Sequence, residues 1–578
     1  MSEALYDLSG LAASLQAALD EEVPPDAGVD APAMELTVPT RPEHGDVTTN
    51  AALVAARRAG RAPRDLAAAV GARWMAGPGA GVCDRYEVAG PGFLNLFLAD
   101  SWYRGALQRL LVEGGEYGRD VLPVARRLKM NVEFVSVNPT GPLHVGHARY
   151  ASYGDALCRI LAFAGHEVTR EFYVNDHGTQ MLRFGQSLAA RYGQRLGLDT
   201  RVPDDGYQGE YLLDLADELI AAVGDRYREA LAAVAPDVTT LPPDVTGEIR
   251  VWGRDSILAR FRATLERLRV PFDVWTPEST LYEGGREHRG FGGEVGQSLA
   301  DLDGERLLYE DGGAVWLSTT RYGDDKDRVL IRQTGDPTYF LSDIAYHRDK
   351  MERGFEHMID IWGADHHGYV PRMKAAFTAL PPHDPDKLEL IIGQLVNLLE
   401  SGETRRMSKR RGDIVTVDDL VDAIGVDAAR FLLVGRSHDT TLDLDIDLAV
   451  QQSSQNPVYY VQYAHARICS ILRNLPPGAG PAGEAVPAVV VGPYERALLR
   501  TLARFPEVLL GAAEQRAPHR VHNYLGELAA EFHVFYRHCR VLSDAADVTA
   551  FRSGLCAAVR TTLATGLGLL GVAAPDSM

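Results

Sequence analysis

Residues 131–150, NVEFVSVNPTGPLHVGHARY, constrain this chain more than any other stretch. Val132, Phe134, Val135 and Val137 form an apolar run that reads as a buried strand. Asn138-Pro139 and Gly141-Pro142 are turn punctuation and end it. His144-Val145-Gly146-His147 comes next, ahead of a helical pattern over 148–163 that Gly165 closes. Two histidines with a glycine between them therefore stand at the first turn of a helix that follows a strand. A helix start offers unpaired N–H groups and a positive dipole end, so it attracts phosphate. Gly146, without a side chain, lets a base or a ribose approach the backbone. Each imidazole can donate to oxygens whose charge grows during attack at phosphorus. On this stretch alone, a histidine pair that merely caps a helix is an equal alternative.

Far downstream lies Arg405-Arg406-Met407-Ser408-Lys409-Arg410-Arg411-Gly412-Asp413, after a strand-like apolar run over 388–399. It reads as a basic loop beside a sheet. The chain has only six lysines, at 129, 326, 350, 374, 387 and 409, so a lysine kept inside this arginine cluster stands out. An ammonium is a compact charge on a flexible stem, suited to following a pyrophosphate as it leaves. HxGH after the first strand and MSK after the last, in that order, resemble the HIGH and KMSKS signatures of class I aminoacyl-tRNA synthetases.

A chain of 578 residues is too long for one domain, and three or four are expected. Apolar content of 46% with 24% charged residues fits a globular protein, and no long uncharged apolar run suggests a membrane span. The N-terminal residues, MSEALYDLSG, show no secretion signal. Cysteines 83, 158, 469, 539 and 556 are odd in number and contain no CxxC. They argue for reduced thiols in the cytoplasm and against a disulfide framework or a zinc site. The net charge of −20 does not exclude a nucleic-acid partner, because phosphate contacts are local. Residues 451–578 hold eleven arginines, no lysine and nine acids, so the tail is basic on an acidic body.

Residues 1–115 read as a small α+β domain, with helices at 4–21, 50–58 and 63–74 and strands at 33–38 and 86–98. Phe93 and Asn95 fall on one strand face and could stack and hydrogen-bond an unpaired base, although Phe93 in its own small core is the plainer reading. Residues 116–415 read as a Rossmann-like, doubly wound parallel sheet of α/β class, interrupted by a helical insertion at about 198–280. A second strand at 168–174 leads into NDHGTQ, which would put Asn175, Asp176 and His177 on the same rim as the histidine pair. The sheet is expected to resume at 314–318 and 329–332. In TYFLSDIAY, Tyr339 and Asp343 are spaced i, i+4 and share a helix face. Asp365 and His366 come just after a buried strand at 359–362, well placed for ribose hydroxyls. Residues 416–578 read as a helical bundle in which Tyr460, Tyr463 and Arg467 form a stripe that could stack on splayed-out bases.

With these residues in view, the chain resembles the arginyl-tRNA synthetases over nearly its whole length. The matching stretches are HGDVTTNAA, VAGPGFLNLFL, NPTGPLHVGHAR, YVNDHGTQ, LSDIAYH, IWGADHHGY, RMSKRRG, NPVYYVQYAHAR and LGLLGVAAPDSM. The resemblance implies an N-terminal domain for the tRNA elbow, a catalytic domain, and a helical anticodon-binding domain. It implies ATP-dependent ligation of L-arginine to the 3′ end of tRNA(Arg) through an arginyl-adenylate, with activation that needs bound tRNA. His144, Gly146, His147 and Lys409 would be catalytic. Asp365, His366, Met407 and Ser408 would join them in binding ATP with its Mg²⁺, and no tightly bound cofactor is expected. Glu133, Asn138, Tyr339 and Asp343 would hold arginine, whose guanidinium offers five donors in a rigid fork that lysine cannot match. Phe93, Asn95, Tyr460, Tyr463, Arg467 and the terminal Met578 would meet tRNA. A monomer is the family expectation. Two departures are Arg406, where the signature often has lysine, and Gly90, where some relatives carry a polar residue. A small nucleotidylyltransferase would not need the tyrosine–arginine tail, a cysteinyl enzyme should show zinc-ligand cysteines, and an inactive RNA-binding relative should have lost one signature.

Overall fold

Five short runs become the parallel strands of one sheet in a computed structural model. They are Lys129–Glu133 (β1), Glu167–Val174 (β2), Val274–Pro277 (β3), His357–Gly363 (β4) and Leu388–Gly393 (β5). The structure describes residues 3–23, 34–234, 240–285, 287–405, 415–477 and 485–578. The strand order is β3-β2-β1-β4-β5, and every neighbouring pair is parallel. The order reverses beside β1, so a crevice opens at the carboxyl ends of β1 and β4, where doubly wound sheets receive ligands. Helix α1 (Val145–Ala164) lies on the sheet close to Phe134. Gly154 permits this, because a Cβ there would stand 2.3 Å from the Phe134 ring. The α1 helix ends at Gly165, whose φ of 116° only glycine adopts readily. Helices α2 (Thr179–Arg195), α3 (Pro243–Arg267) and α4 (Tyr339–Glu352) complete the elements that matter here.

Several expectations change in detail. The first strand stops at Glu133 rather than running to Val137, because Val135 (φ 71°) and Ser136 (φ 38°) turn left-handed. These are costly conformations for non-glycine residues, held by the surrounding fold. The stretch 388–399 holds two strands, not one. After β5, Val396–Glu400 joins Glu403–Arg405 and Leu442–Asp445 in another sheet. Residues 314–318 and 329–332 do not extend the parallel sheet; Leu308–Asp311, Ala314–Leu317 and Arg328–Ile331 form their own antiparallel sheet. The helical insertion ends before 274, since β3 belongs to the core sheet.

Two compact units result: Pro123–Gln451, and Met1–Leu122 together with Gln452–Met578. Residues 416–451, read from sequence as the start of the helical domain, lie in the first unit. Arg430 explains this: fully buried, it donates to the carbonyls of Leu268 and Arg269 and to Asp155 of α1. In the second unit an antiparallel sheet of Val47–Thr49, Phe93–Leu98 and Cys83–Ala89 is joined by α5 (Pro457–Arg473) and the helices Pro493–Ala503, Phe505–Glu514, His519–His538 and Ala546–Leu569. Arg496 bonds Asp100 at 2.6 Å and Arg500 bonds Asp46 at 2.5 Å, tying the C-terminal helices to the N-terminal part of that unit. All five cysteines are buried and unlinked. Among the described residues no helix is long and apolar enough to cross a membrane.

Candidate active site

His144 is the residue that precedes α1, with extended backbone, and His147 is its third helical residue. The two rings stack at 3.5 Å between centroids, and the His144 backbone N–H donates to His147 Nδ1 at 3.1 Å. An Nδ1 that accepts leaves the ring proton on Nε2, which aims a donor away from the backbone. Gly146 makes the stacking possible, since a Cβ there would lie 3.0 Å from the His144 ring. Tyr150, one turn on, packs against Gly363 and Gly393, and its hydroxyl donates to the Gly393 carbonyl at 3.2 Å. The glycines that end β4 and β5 therefore let the histidine helix sit over both strand ends. Arg149, buried behind them, fills the carbonyls of Gln394, Leu395, Ser437 and Thr440 and is structural.

Arg406, Met407, Ser408 and Lys409 lie outside the described residues. On their N-terminal side, Glu403–Arg405 pairs antiparallel with Val396–Glu400. On their C-terminal side, Val145 N–H donates to Val415 O at 3.0 Å and Val417 N–H to Leu143 O at 2.9 Å. Thr416 then caps Val417–Ile424 through a reciprocal pair with Asp419. The chain that leaves the MSK segment is thus sewn to the backbone on either side of His144.

The candidate arginine contacts form an acidic recess. Asp343, on α4, accepts a hydrogen bond from the Tyr369 hydroxyl at 2.6 Å, and burial pushes its carboxyl up. Tyr339 stands one turn earlier, half-exposed, with its hydroxyl against Gly178, where a Cβ would come within 3.0 Å. Gly178 has φ 84°, so glycine is needed there on both counts. Asn138 donates to Gln180 of α2 at 2.5 Å. Sequence reasoning missed Glu278. It is 2% exposed, pairs with no cation among the described residues, and its Oε2 has no hydrogen-bond partner there. Burial, opposed by Ser342 and reinforced by Asp343 and Asp176, pushes its carboxyl up to about 7. The Tyr173 hydroxyl, also buried without a partner, is raised by burial and by the carboxylates of Glu278, Asp343 and Glu133. Buried carboxylates without a cation are costly, and a cation of matching geometry would relieve them.

Glu133 is engaged inside the fold: its Oε2 accepts from Lys350 at 2.7 Å. Asp176 is likewise occupied by Arg254 and Ser279, while His177 stacks on Tyr282 at 4.6 Å. Asp365 and His366 sit in the short 3-10 helix Ala364–Tyr369 after β4, side chains exposed and 3.6 Å apart, open to a ligand in the crevice.

The second unit holds a groove. A cavity of about 930 Å³ is lined by Tyr463, Arg467, Tyr536, Arg537, Arg540 and Met578 among others, with no acidic residue in its lining. Arg467 donates to the Tyr463 hydroxyl at 2.7 Å and lies over the rings of Tyr463 and Tyr536, at 4.8 and 5.1 Å. Tyr460 is off the groove, packed on His533 at 4.9 Å. Gln462, His465 and Arg473 of α5 hold the carbonyls of Ala573, Pro575 and Asp576, so the tail is clamped and Met578 is delivered to the groove. That clamp was readable as a polar i, i+3, i+11 row on one face of α5. Of the other proposed RNA contacts, Phe93 is 37% exposed, not core, while Asn95 is buried and its amide oxygen accepts from Thr48.

Comparison with known proteins adds an independent line. Residues 9–98 match the family described as Arginyl tRNA synthetase N terminal domain, 106–197 match tRNA synthetases class I (R), catalytic domain, and 461–578 match the DALR anticodon binding domain. The chain is 46% identical to the arginine–tRNA ligase of Syntrophotalea carbinolica over 95% of both chains. It is 44% identical to that of Desulforudis audaxviator over 99% of this chain and all of the other. Among solved structures, Thermus thermophilus arginyl-tRNA synthetase superposes with a TM-score of 0.73 at 25% identity, covering 99% of this chain and all of the other. A putative arginyl-tRNA synthetase from Campylobacter jejuni gives 0.72 at 33% identity, over 83% of this chain and all of the other.

Proposed function

The chain belongs to the arginine–tRNA ligase family and charges tRNA with arginine at the expense of ATP, and from that premise we propose how its residues divide the work. Glu278 and Asp343 take the guanidinium of arginine, Tyr339 walls it, and Asn138 meets the other end of the amino acid. The observation that carries this is Glu278: a buried carboxylate with an unpartnered oxygen beside Asp343 is an acceptor pair waiting for a fork of donors. Glu133, held by Lys350, supports this wall from behind.

ATP lies in the crevice at the ends of β1 and β4, its ribose toward Asp365 and His366. The arginine carboxylate attacks the α-phosphorus, the bond to the β-phosphate oxygen breaks, and pyrophosphate leaves. His144, His147 and Lys409 donate to the oxygens on which charge grows, so catalysis is positioning plus electrostatics. The exposed groups at the crevice suit phosphate and ribose rather than a divalent ion, so Mg²⁺ enters on the phosphates of ATP. The terminal ribose hydroxyl of tRNA then attacks the arginyl carbonyl and AMP departs. In the second unit, Phe93 meets the tRNA elbow and the groove at Tyr463, Arg467 and Met578 takes the anticodon loop. Its arginine-only charge lining and stacked rings support that role. We read the working enzyme as a cytoplasmic monomer.

Pyrophosphate exchange into ATP, run with each amino acid and with or without tRNA, tests the assignment. Exchange is expected with arginine alone and only with tRNA present. Faster exchange with any other amino acid overturns it. For the groove, Tyr463→Ala should weaken tRNA binding by about 1–3 kcal/mol with an unchanged melting temperature, and high tRNA concentration should restore aminoacylation. A lowered melting temperature without rescue returns Tyr463 to the core.

A further inference from the structure

Beneath the crevice lies a charge set of which the steps above use only Glu133. Lys350, on α4, is fully buried, and its ammonium donates to Glu133 Oε2 at 2.7 Å and to Asp360 Oδ1 at 2.8 Å. Those two carboxylates belong to Cα partners on the adjacent strands β1 and β4. His347, one turn before Lys350, has Nε2 2.7 Å from Asp360 Oδ2 and Nδ1 2.7 Å from the backbone carbonyl of Asp343. An acceptor faces each nitrogen: burial opposes the charged ring, but Asp360 outweighs it and holds the imidazole above its ordinary value. From β2, Glu171 turns to Arg353, Asn131 and, on β3, Thr276, and the Tyr346 ring lies 4.3 Å from the ammonium.

A buried lysine between two carboxylates can simply hold a fold together. Here the position says more. Glu133 ends β1 immediately before the left-handed turn at Val135–Ser136 that carries the chain to Asn138. Its charge, with those of Glu278 and Asp343, also raises the Tyr173 hydroxyl. The same cation network grips Asp343 through its carbonyl. Lys350 and His347 thus bond directly to Glu133 and to the Asp343 backbone.

We propose that Lys350 is a positioning residue for the amino-acid substrate: by neutralising and orienting Glu133 and Asp360, it leaves Glu278 and Asp343 as the acceptors open to an incoming guanidinium. The proposal rests on the reading of that recess as the guanidinium pocket. Without the ammonium, Asp360 keeps His347 while Glu133, facing it, is left buried without a cation and takes up a proton. Burial already pushes Glu133 up, so it becomes the group that titrates, and the wall loses its fixed shape. ATP, held at the other side of the crevice, is unaffected.

The test is Lys350→Met, assayed by tRNA-dependent pyrophosphate exchange from pH 6 to 9 with melting temperature alongside. The arginine KM should rise about tenfold or more at pH 7 while the ATP KM stays within about twofold, the scale of losing a charge-assisted hydrogen bond on one ligand only. The arginine KM should also keep falling with pH above 7, where the wild-type value has levelled off, because Glu133 sheds the extra proton. Lys350→Met/Asp360→Asn removes one charge of each sign. It removes the carboxylate facing Glu133 along with the charged partner of His347, should keep the raised arginine KM, and supplies the measurement if the single variant does not fold. An unchanged arginine KM, a parallel rise of both KM values, or full recovery of arginine KM in the double variant overturns the proposal. Asp343→Asn separates the two readings. If it leaves the arginine KM unchanged, the pocket itself is misassigned; if it raises that KM while Lys350→Met does not, only the role of Lys350 fails.

Discussion

Asp343→Asn raises the arginine KM by about 30- to 1,000-fold and leaves the ATP KM within about twofold, the consequence of losing about 2–4 kcal/mol from one half of a charge-assisted fork. The amide keeps the hydrogen bond from Tyr369 but presents an N–H where the guanidinium needs an acceptor. Glu278 adds a pH signature. Its carboxyl sits near 7 in the free enzyme, above its ordinary value of 4.5, because burial favours the neutral form. A guanidinium needs the ionised form, so arginine affinity should increase with pH and level off above about 7, with roughly a tenfold loss per pH unit below it. The effect on stability runs the other way. A carboxyl raised in the fold favours the folded state most below 4.5, and that contribution is lost as pH rises toward 7. Glu278→Gln should remove the pH dependence of the arginine KM and weaken binding at pH 8. Steady-state KM values for both substrates from pH 5.5 to 8.5 decide it. Parallel changes in the ATP KM would move Asp343 out of the amino-acid pocket.

How much of this could be read from the sequence depends on whether the signal was local. The strand, turn and HVGH helix start are consecutive, and the i, i+4 pair Tyr339–Asp343 needed only the helical period. Glu278 had no such signal. It sits in WTPEST after the helical insertion, and its meaning comes from burial beside Asp343, sixty-five residues away along the chain. Lys350 was visible as one of six lysines, but its partners come from two strands and only the sheet order makes them neighbours. Alternation found strands at 314–318 and 329–332 correctly, yet a period of two does not say which sheet a strand joins. Residues 416–451 looked like the start of the helical bundle until Arg430 was seen buried against Asp155. The turn at Val135–Ser136 was hidden for a different reason: nothing in two ordinary residues announces a positive φ.

Lys409→Ala should slow arginine activation by about 100-fold or more, about 3 kcal/mol, the usual scale for one donor that acts on transition-state charge. Lys409 itself lies outside the described residues, whereas Val415–Val417, a few positions on, is bonded to the backbone of Leu143 and Val145, on either side of His144. Only a short run of chain therefore separates the lysine from the histidine pair. An ammonium arriving from that side would meet the phosphates as the bond to pyrophosphate lengthens. It would gain most when charge has moved onto the leaving group. Interactions made only in the transition state lower kcat and leave KM nearly unchanged, so the arginine and ATP KM values should stay within about threefold. The two half-reactions should also part company. Once the adenylate has formed and pyrophosphate has gone, Lys409 has little left to stabilise, and transfer of arginine to tRNA from preformed adenylate should proceed at close to the wild-type rate. Single-turnover measurement of each half-reaction separates the cases. Equal slowing of both would make the segment a general support of the fold around His144, and an unaltered activation rate would make it a solvated turn.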